Sequence, residues 1–334
     1  MEDTFNPERY ENMPYRRCGS SGLKLPAVSL GCWHNFGADD DPEEARAILR
    51  RAFDLGITHY DLANNYGPPP GMAEYFFGRF LREEFAAHRD ELVISTKAGY
   101  YMWSGPYGDG GSRKYLLSSL EQSLRRMNID YVDVFYHHRP DPETELEETM
   151  GALAHAVRSG KALYAGISNY GEEQTRKACK IMDEHKVPLV LNQCKYSLLT
   201  RGVEEGTLEA CAKEGVGLIS FSPLEQGLLT SRYLKGIPTD SRAAKSGPFL
   251  TPERITEDLQ NKLDRLNGIA QERDQSLASM SLQWVLRDPR VTSVIIGASK
   301  VRQLEENVKA VQAPGEFTDE QLVNIDRIVE NDHQ

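Results

Sequence analysis

The stretch that decides the architecture is Val28-Ser-Leu-Gly-Cys32, then the apolar stripe Ala45, Ile48, Leu49, Ala52 and Phe53, then His59-Tyr-Asp-Leu62. The first and third pieces are short apolar runs of strand length. The middle piece repeats at i, i+3, i+4, i+7 and i+8, which is one face of a helix. Strand, helix and strand in that order make a βα unit of a parallel sheet.

The same two-beat rhythm continues towards the C-terminus. Strand-sized runs lie at residues 28–32, 59–62, 92–96, 131–137, 162–167, 189–192, 217–221 and 294–296. Between them fall helical stripes at Tyr115, Leu116, Leu120 and Leu124, at Leu153, Ala156 and Val157, and at Cys179 and Met182 with Lys186 less cleanly placed. Ile269, Ala270 and Leu277 precede a helix through Met280, Leu282, Trp284 and Val285, and Val301, Leu304, Val308 and Val311 close the eighth unit. A last amphipathic helix carries Leu322, Ile325 and Val329 behind an N-cap at Thr318. Eight such units in about 285 residues predict a closed (β/α)8 TIM barrel, because the competing doubly wound sheet has five or six strands.

Ahead of the barrel, residues 1–14 read as an arm. Tyr15-Arg-Arg-Cys18, Gly19-Ser-Ser-Gly22 and Leu23-Lys-Leu-Pro26 read as strand, turn and strand. No linker rich in Pro, Gly or Ser divides the rest, so residues 15–334 are expected to be one barrel domain with extra C-terminal helices. Residues 227–254 form the longest irregular piece, a loop insertion between units seven and eight.

The 334 residues carry 39 Lys plus Arg against 50 Asp plus Glu, a net charge of −11. A surface that acidic repels phosphate backbones, so no nucleic-acid partner is expected. No run approaches the ~20 apolar residues of a membrane span. The start, Met1-Glu-Asp-Thr-Phe-Asn-Pro, has neither the basic nor the apolar region of a signal peptide, so a cytoplasmic location is expected. Cysteines at 18, 32, 179, 194 and 211 are odd in number and form no CxxC, which suits reduced thiols better than disulfides or zinc.

In a barrel, chemistry gathers at the C-terminal ends of the strands. There the sequence offers Asp61 and Tyr66 after the second strand, Lys97 after the third, His137 and His138 at the fourth, Ser168 and Asn169 after the fifth, and Asn192 and Gln193 after the sixth. A tyrosine is a poor acid near neutrality, and a neighbouring ammonium is expected to lower its pKa. The lysine needs a carboxylate if it is to stay charged when buried, and a neutral histidine polarises a carbonyl oxygen. Together these groups suit delivery of a proton to a carbonyl oxygen. Each has a plainer reading alone: Asp61 as a helix cap, Tyr66 as a packed aromatic, Lys97 as a solvated loop residue. Alternation lets only one of His137 and His138 face the site, with His138 sharing the parity of Val132, Val134 and Tyr136. The adjacent pair is badly spaced for one ion and no HExxH is present, so no metal is expected. Gly108-Asp-Gly-Gly111 before a helix opening near Ser112 is not GxGxxG. It reads as a loop with Ser112 as N-cap, or else as an anion site using Ser112 and Arg113.

Asp61-x-Ala-x-x-Tyr66-Gly, Lys97 in Ile94-Ser-Thr-Lys-Ala, Gly166-Ile-Ser-Asn169 and Ile296-Gly-Ala-Ser-Lys-x-x-Gln303-Leu-x-Glu-Asn307 resemble the aldo-keto reductases, over about residues 15–330. Trp33-His-Asn-Phe-Gly37, Asp61-Leu-Ala-Asn-Asn-Tyr-Gly-Pro-Pro-Pro70 and Gly111-Ser-Arg-Lys-Tyr-Leu-Leu117 look most like the bacterial L-glyceraldehyde 3-phosphate reductase group, which also resembles potassium channel β subunits. The resemblance implies a barrel that binds extended NADPH without a Rossmann fold. It maps the catalytic acid to Tyr66, its supporting ion pair to Asp61 and Lys97, and the carbonyl-orienting histidine to His138. It places the nicotinamide carboxamide on Ser168, Asn169 and Gln193, and the stacking aromatic at Phe221.

The pyrophosphate cover maps to Ser222, Pro223, Leu224, Gln226 and Gly227, with Arg232 nearby. The adenosine 2′-phosphate region maps to Gly297, Ser299, Lys300 and Gln303, with Glu306 and Asn307 at the adenine. Gln303 stands where an arginine often sits, which leaves Lys300 as the charge partner. Trp33 touches cofactor and substrate in this mapping, and Tyr101, Met102 and Trp103 line the mouth with Tyr66 and His138. Arg113, Lys114 and Arg139 are the cations available to a phosphorylated aldehyde. The implied activity is NADPH-dependent reduction of small aldehydes such as glyceraldehyde 3-phosphate and methylglyoxal, in a homo-oligomer of four subunits or more. The alternative is a cofactor-binding regulatory or redox-sensing subunit. A barrel hydrolase or isomerase lacks its metal ligands or carboxylate pair here.

Overall fold

The barrel is closed by its seventh-to-eighth and eighth-to-first contacts. In the computed structural model, which describes residues 5–234, 236–239, 243–244, 250–312 and 315–330, eight parallel strands form one ring. They are β3 (Val28–Gly31), β4 (His59–Asp61), β5 (Val93–Ala98), β6 (Val132–His137), β7 (Ala162–Ser168), β8 (Leu189–Lys195), β9 (Gly217–Phe221) and β10 (Val291–Ile296). β10 pairs with both β9 and β3, so no edge is left open. The antiparallel hairpin β1 (Tyr15–Arg17) and β2 (Lys24–Pro26) lies outside the ring. Its Cys18 and Leu25 are fully buried against the inward side chains Val134, Tyr136, Val190 and Ile219. The hairpin thus plugs one end of the barrel, and the chemistry is left to the other.

Ten helices surround the ring among the described residues: α1 (Pro42–Asp54), α2 (Met72–Glu84), α3 (Arg113–Met127), α4 (Leu146–Arg158), α5 (Glu172–Glu184), α6 (Thr207–Lys213), α7 (Glu257–Glu272), α8 (Leu277–Leu286), α9 (Val301–Gln312) and α10 (Asp319–Glu330). Their ends follow local chemistry. Asp41 caps α1, with Pro42 at its first position and Glu43 and Glu44 in its first turn. Thr318 caps α10 through the Gln321 N–H. The apolar stripe of α1 is buried as its spacing predicts, at Ala45, Ile48, Leu49, Ala52 and Phe53.

The sequence reading left out α2 and α6. The α2 pattern was present, because Ala73, Phe77, Phe80 and Leu81 are buried on one face. One of the extra helices, α7, precedes β10 and packs on α10. Parts of the 227–254 insertion, namely 235, 240–242 and 245–249, lie outside the described residues, and the remainder includes short turns at Ser231–Tyr233 and Pro252–Arg254.

Several strands run further than their apolar runs. β5 includes Lys97, β7 includes Ser168 and β8 continues past Asn192 through Gln193 to Lys195. The apolar run ends too early in each case, because Lys97 and Gln193 meet Asp61 inside the barrel and Ser168 donates to the Gln193 carbonyl. Gly166 shows how tightly that interior is filled: a Cβ there would lie 2.5 Å from the Tyr136 ring. The ring takes this space, and its centroid is 5.9 Å from Lys97 Nζ.

Candidate active site

Register brings the polar residues together. Asp61 on β4 is level with Ser95 on β5, and Lys97 with Tyr136 on β6. Lys97 and Asp61 are completely or almost completely buried and meet at 2.6 Å. The Lys97 ammonium also donates to the Leu62 carbonyl at 2.7 Å and to the Tyr66 phenol oxygen at 3.2 Å. All three of its protons are therefore directed. Asp61 Oδ1 accepts from Ser95 Oγ at 2.7 Å and from Gln193 Nε2 at 3.0 Å. The pair is buried and well bonded, the condition under which a buried ion pair persists.

Tyr66 stands in the loop after β4, between aromatic neighbours. Its ring centroid is 6.1 Å from Trp33 and 5.9 Å from the His138 ring, the latter edge-on. His138 follows β6, and its backbone N–H donates to the Ala98 carbonyl at 2.9 Å. His137 points the other way, with Nδ1 2.7 Å from the Tyr170 hydroxyl. The rim thus receives one imidazole.

The electrostatics correct one expectation. Burial, reinforced by the Asp61 charge, raises the Tyr66 phenol well above its ordinary value. Lys97 at 3.2 Å opposes this, but the net direction is upward. The phenol is therefore protonated at neutral pH, as a proton donor must be. Burial also lowers Lys97, with Asp61 opposing, and holds His138 well below 6.5 with help from Lys97. His138 is then a neutral imidazole with one N–H. Its Nδ1 is buried without a partner, so the proton belongs on Nε2, because an unpaired buried N–H costs more than an unpaired lone pair.

The remaining predicted residues lie on successive strand ends. Ser168 Oγ donates to the Gln193 carbonyl at 2.9 Å. Asn169 is left-handed at φ 62 and donates through Nδ2 to the His138 carbonyl at 3.1 Å. Gln193 directs its amide N–H at Asp61, so that donor is committed to the ion pair. Phe221 ends β9, and Ser222, Glu225 and Gln226 after it all have positive φ, with Gly227 following at 97. Gln226 Oε1 is buried without a partner. After β10, Ser299 N–H and Oγ both approach Gln303 Oε1, at 2.9 and 3.1 Å. Lys300 pairs with Glu44 at 2.9 Å and Glu306 with Arg302 at 2.7 Å. Lys300, Gln303 and Glu306 line an open hollow of about 560 Å³ together with Glu44, Val301 and Arg302. Asn307 is buried on α9.

At the mouth, Tyr101 is exposed with its hydroxyl 2.9 Å from Ser104 Oγ, Met102 is half-buried, and Trp103 packs on Tyr115 with centroids 5.4 Å apart. Trp103 therefore props the loop. Tyr100, which the sequence reading passed over, touches His138 edge-on at 4.6 Å and carries the Arg139 guanidinium on its face at 4.8 Å. Ser112 caps α3 through the Tyr115 N–H. The Arg113 N–H is taken by Glu148 at 2.9 Å, and its guanidinium reaches the Gly151 carbonyl on α4. That helix start already holds a carboxylate, so the loop reading fits it and the anion-site reading does not. Lys114 lies over Tyr107 at 5.1 Å, which leaves Arg139 as the candidate cation beside His138.

The sequence model of the Aldo/keto reductase family matches residues 27–330. An L-glyceraldehyde 3-phosphate reductase of Escherichia coli O157:H7 is 60% identical over 326 residues, covering 96% of this chain and 94% of its own. A probable voltage-gated potassium channel subunit beta of Arabidopsis thaliana is 36% identical over 323 residues, covering 96% of this chain and 97% of its own.

Proposed function

The chain belongs to the aldo/keto reductase family, and from that premise we propose that it reduces small aldehydes to alcohols with NADPH, taking L-glyceraldehyde 3-phosphate and methylglyoxal among its substrates. The observation that carries this reading is the buried Asp61–Lys97 pair with the Tyr66 phenol 3.2 Å from the ammonium and neutral His138 facing it. A nicotinamide cofactor, when bound, supplies the hydride for the carbonyl carbon. The protein's own groups handle the oxygen. His138 Nε2–H orients the carbonyl. Tyr66 gives its proton to the oxygen as negative charge builds there, and Lys97, anchored by Asp61, stabilises the phenolate left behind.

The residues fit an extended dinucleotide. The predicted contacts follow the ring in order along β7, β8, β9 and β10, from Ser168 and Asn169 to the hollow at the start of α9. Gln226 offers a buried, unpartnered oxygen on a loop of left-handed residues between the two ends. Lys300, itself exposed, is the charge for a 2′-phosphate once it leaves its half-buried partner Glu44. Lys300→Met is expected to weaken NADPH binding roughly 10- to 100-fold and NADH binding by less than about twofold, read by fluorescence titration. Equal losses for both cofactors would refute the assignment.

A phosphorylated aldehyde needs a cation near the carbonyl site. Arg139 meets that need, since its exposed partner Asp109 at 3.0 Å is easily displaced. Arg139→Ala should raise KM for glyceraldehyde 3-phosphate roughly 10- to 100-fold and leave KM for unphosphorylated glyceraldehyde unchanged. A parallel rise in both would remove Arg139 from substrate binding.

The proposal is tested by following NADPH consumption with phosphorylated and unphosphorylated trioses, with NADH alongside. Tight NADPH binding with no aldehyde turned over would favour the regulatory-subunit reading suggested by the 36% relatives. The proposed protein is cytoplasmic and a homo-oligomer of four subunits or more, the latter measurable by light scattering. No helix among the described residues is long and apolar enough to cross a membrane.

A further inference from the structure

Below the Asp61–Lys97 pair, the barrel interior carries a line of polar side chains that the reaction as described does not use. His59, on β4 two residues before Asp61, is completely buried. Its Nδ1 lies 2.8 Å from Ser29 Oγ on β3, and its Nε2 lies 3.0 Å from Ser95 Oγ on β5. Ser29 Oγ is 2.7 Å from Ser293 Oγ on β10. At the other end, Ser95 Oγ donates to Asp61 Oδ1 at 2.7 Å. Four hydrogen bonds thus cross four neighbouring strands and end on the carboxylate.

The chain has only one consistent direction. A carboxylate facing an ammonium has no proton to give, so it accepts from Ser95. Ser95 has a single hydroxyl proton, now spent, so it accepts from His59 Nε2–H. In a neutral imidazole Nδ1 is then an acceptor, which takes the Ser29 hydroxyl proton. Ser29 in turn accepts from Ser293. Burial keeps the imidazole neutral by lowering His59 to about 4, with Asp61 opposing and Lys97 assisting. Every donor points at Asp61, and bonds aligned in one sense polarise one another.

We infer that His59 is a positioning residue for the reduction: as the Nε2–H tautomer it turns the Ser95 hydroxyl onto Asp61 and so holds the carboxylate in place opposite Lys97. The inference rests on the reading of Tyr66 as proton donor. Without this donor the Asp61 carboxylate loses one of its two Oδ1 hydrogen bonds and is held less firmly opposite Lys97. The ammonium is then less firmly held at the Tyr66 oxygen, and Tyr66 becomes a weaker acid. The other groups around the pair are Tyr66, Gln193 on β8, Tyr136 on β6, Cys32 after β3, His138, and Glu74 on α2, which is buried and paired with Arg126. None of them supplies a second hydroxyl to Asp61 Oδ1.

The test uses the full-length protein and its His59→Leu, His59→Gln and Ser95→Ala variants. For His59→Leu and Ser95→Ala, kcat should fall about 10- to 100-fold while the NADPH dissociation constant stays within about twofold. The alkaline limb of the kcat profile should move up by about one pH unit, as a weaker Tyr66 acid requires. Gln presents an N–H and a carbonyl in the same order as Nε2–H and Nδ1, so His59→Gln should recover about tenfold of the loss seen with His59→Leu. Nitrogen-15 spectra of the wild type should show a neutral Nε2–H imidazole for His59 from pH 6 to 9. A folded Ser95→Ala variant with wild-type kcat and an unmoved limb overturns the inference while leaving the reductase reading intact. An Nδ1–H tautomer overturns it too. A wild type that binds NADPH and turns over no aldehyde overturns the reductase reading and this role with it. If His59→Leu does not fold, Ser95→Ala decides, since it deletes one oxygen and leaves His59 in place.

Discussion

Tyr66→Phe is expected to lower aldehyde turnover by about a thousandfold or more while leaving NADPH affinity within about twofold. The substitution deletes one oxygen and keeps the ring that packs between Trp33 and His138. Lys97 loses one of its three acceptors but keeps Asp61 at 2.6 Å and the Leu62 carbonyl at 2.7 Å. The ion pair and the fold should therefore survive, and a thermal melt should show it. What is lost is the one phenol proton poised over the site. Because burial raises the phenol pKa, the donor is protonated throughout the neutral range, and His138 is neutral there as well. Wild-type kcat should accordingly be flat from about pH 6.5 to 8.5 and decline only at higher pH, where the phenol begins to ionise. A Phe variant that keeps more than a tenth of wild-type turnover would show that the proton comes from elsewhere.

Much of this site was legible in the sequence for a reason that can be stated. Asp61, Lys97 and His138 close short apolar runs, and in a parallel barrel every strand ends on the same rim. The βα rhythm therefore implied that residues far apart in the chain would meet. The alternation of β6 likewise separated His138 from His137, and the structure places the two rings on opposite sides of the barrel wall. What the sequence hid was the buried polar interior. Ser29, His59, Ser95 and Ser293 look like interruptions of apolar strands, and a reading based on hydropathy treats them as noise or as strand ends. Their spacing did hold a signal: His59 with Asp61, and Ser95 with Lys97, are two apart and so face the same way. Tyr100 was missed because its role depends on a loop turning its ring between His138 and Arg139, which no periodicity encodes. The direction of the Tyr66 shift was misread for a related reason. Chain order shows a lysine nearby but not how completely the phenol is withdrawn from water.

The second large effect separates stability from catalysis at the same pair. Lys97→Met should abolish measurable turnover and also destabilise the fold by about 3–5 kcal/mol, because it leaves the Asp61 carboxylate buried without its counter-charge. Adding Asp61→Asn should restore most of that stability. The amide is neutral, its oxygen can still accept from Ser95 and Gln193, and replacing both members of a buried ion pair is often nearly neutral. Turnover should stay absent in the double variant, because no ammonium faces the Tyr66 oxygen and nothing stabilises the phenolate. Denaturant unfolding monitored with the same samples used for kinetics makes the comparison. Recovery of activity together with stability would mean that Lys97 serves only to neutralise Asp61, and the chemistry assigned to it would fall. Recovery of stability alone would mean that the buried charges are retained for the proton transfer and not for the barrel that encloses them.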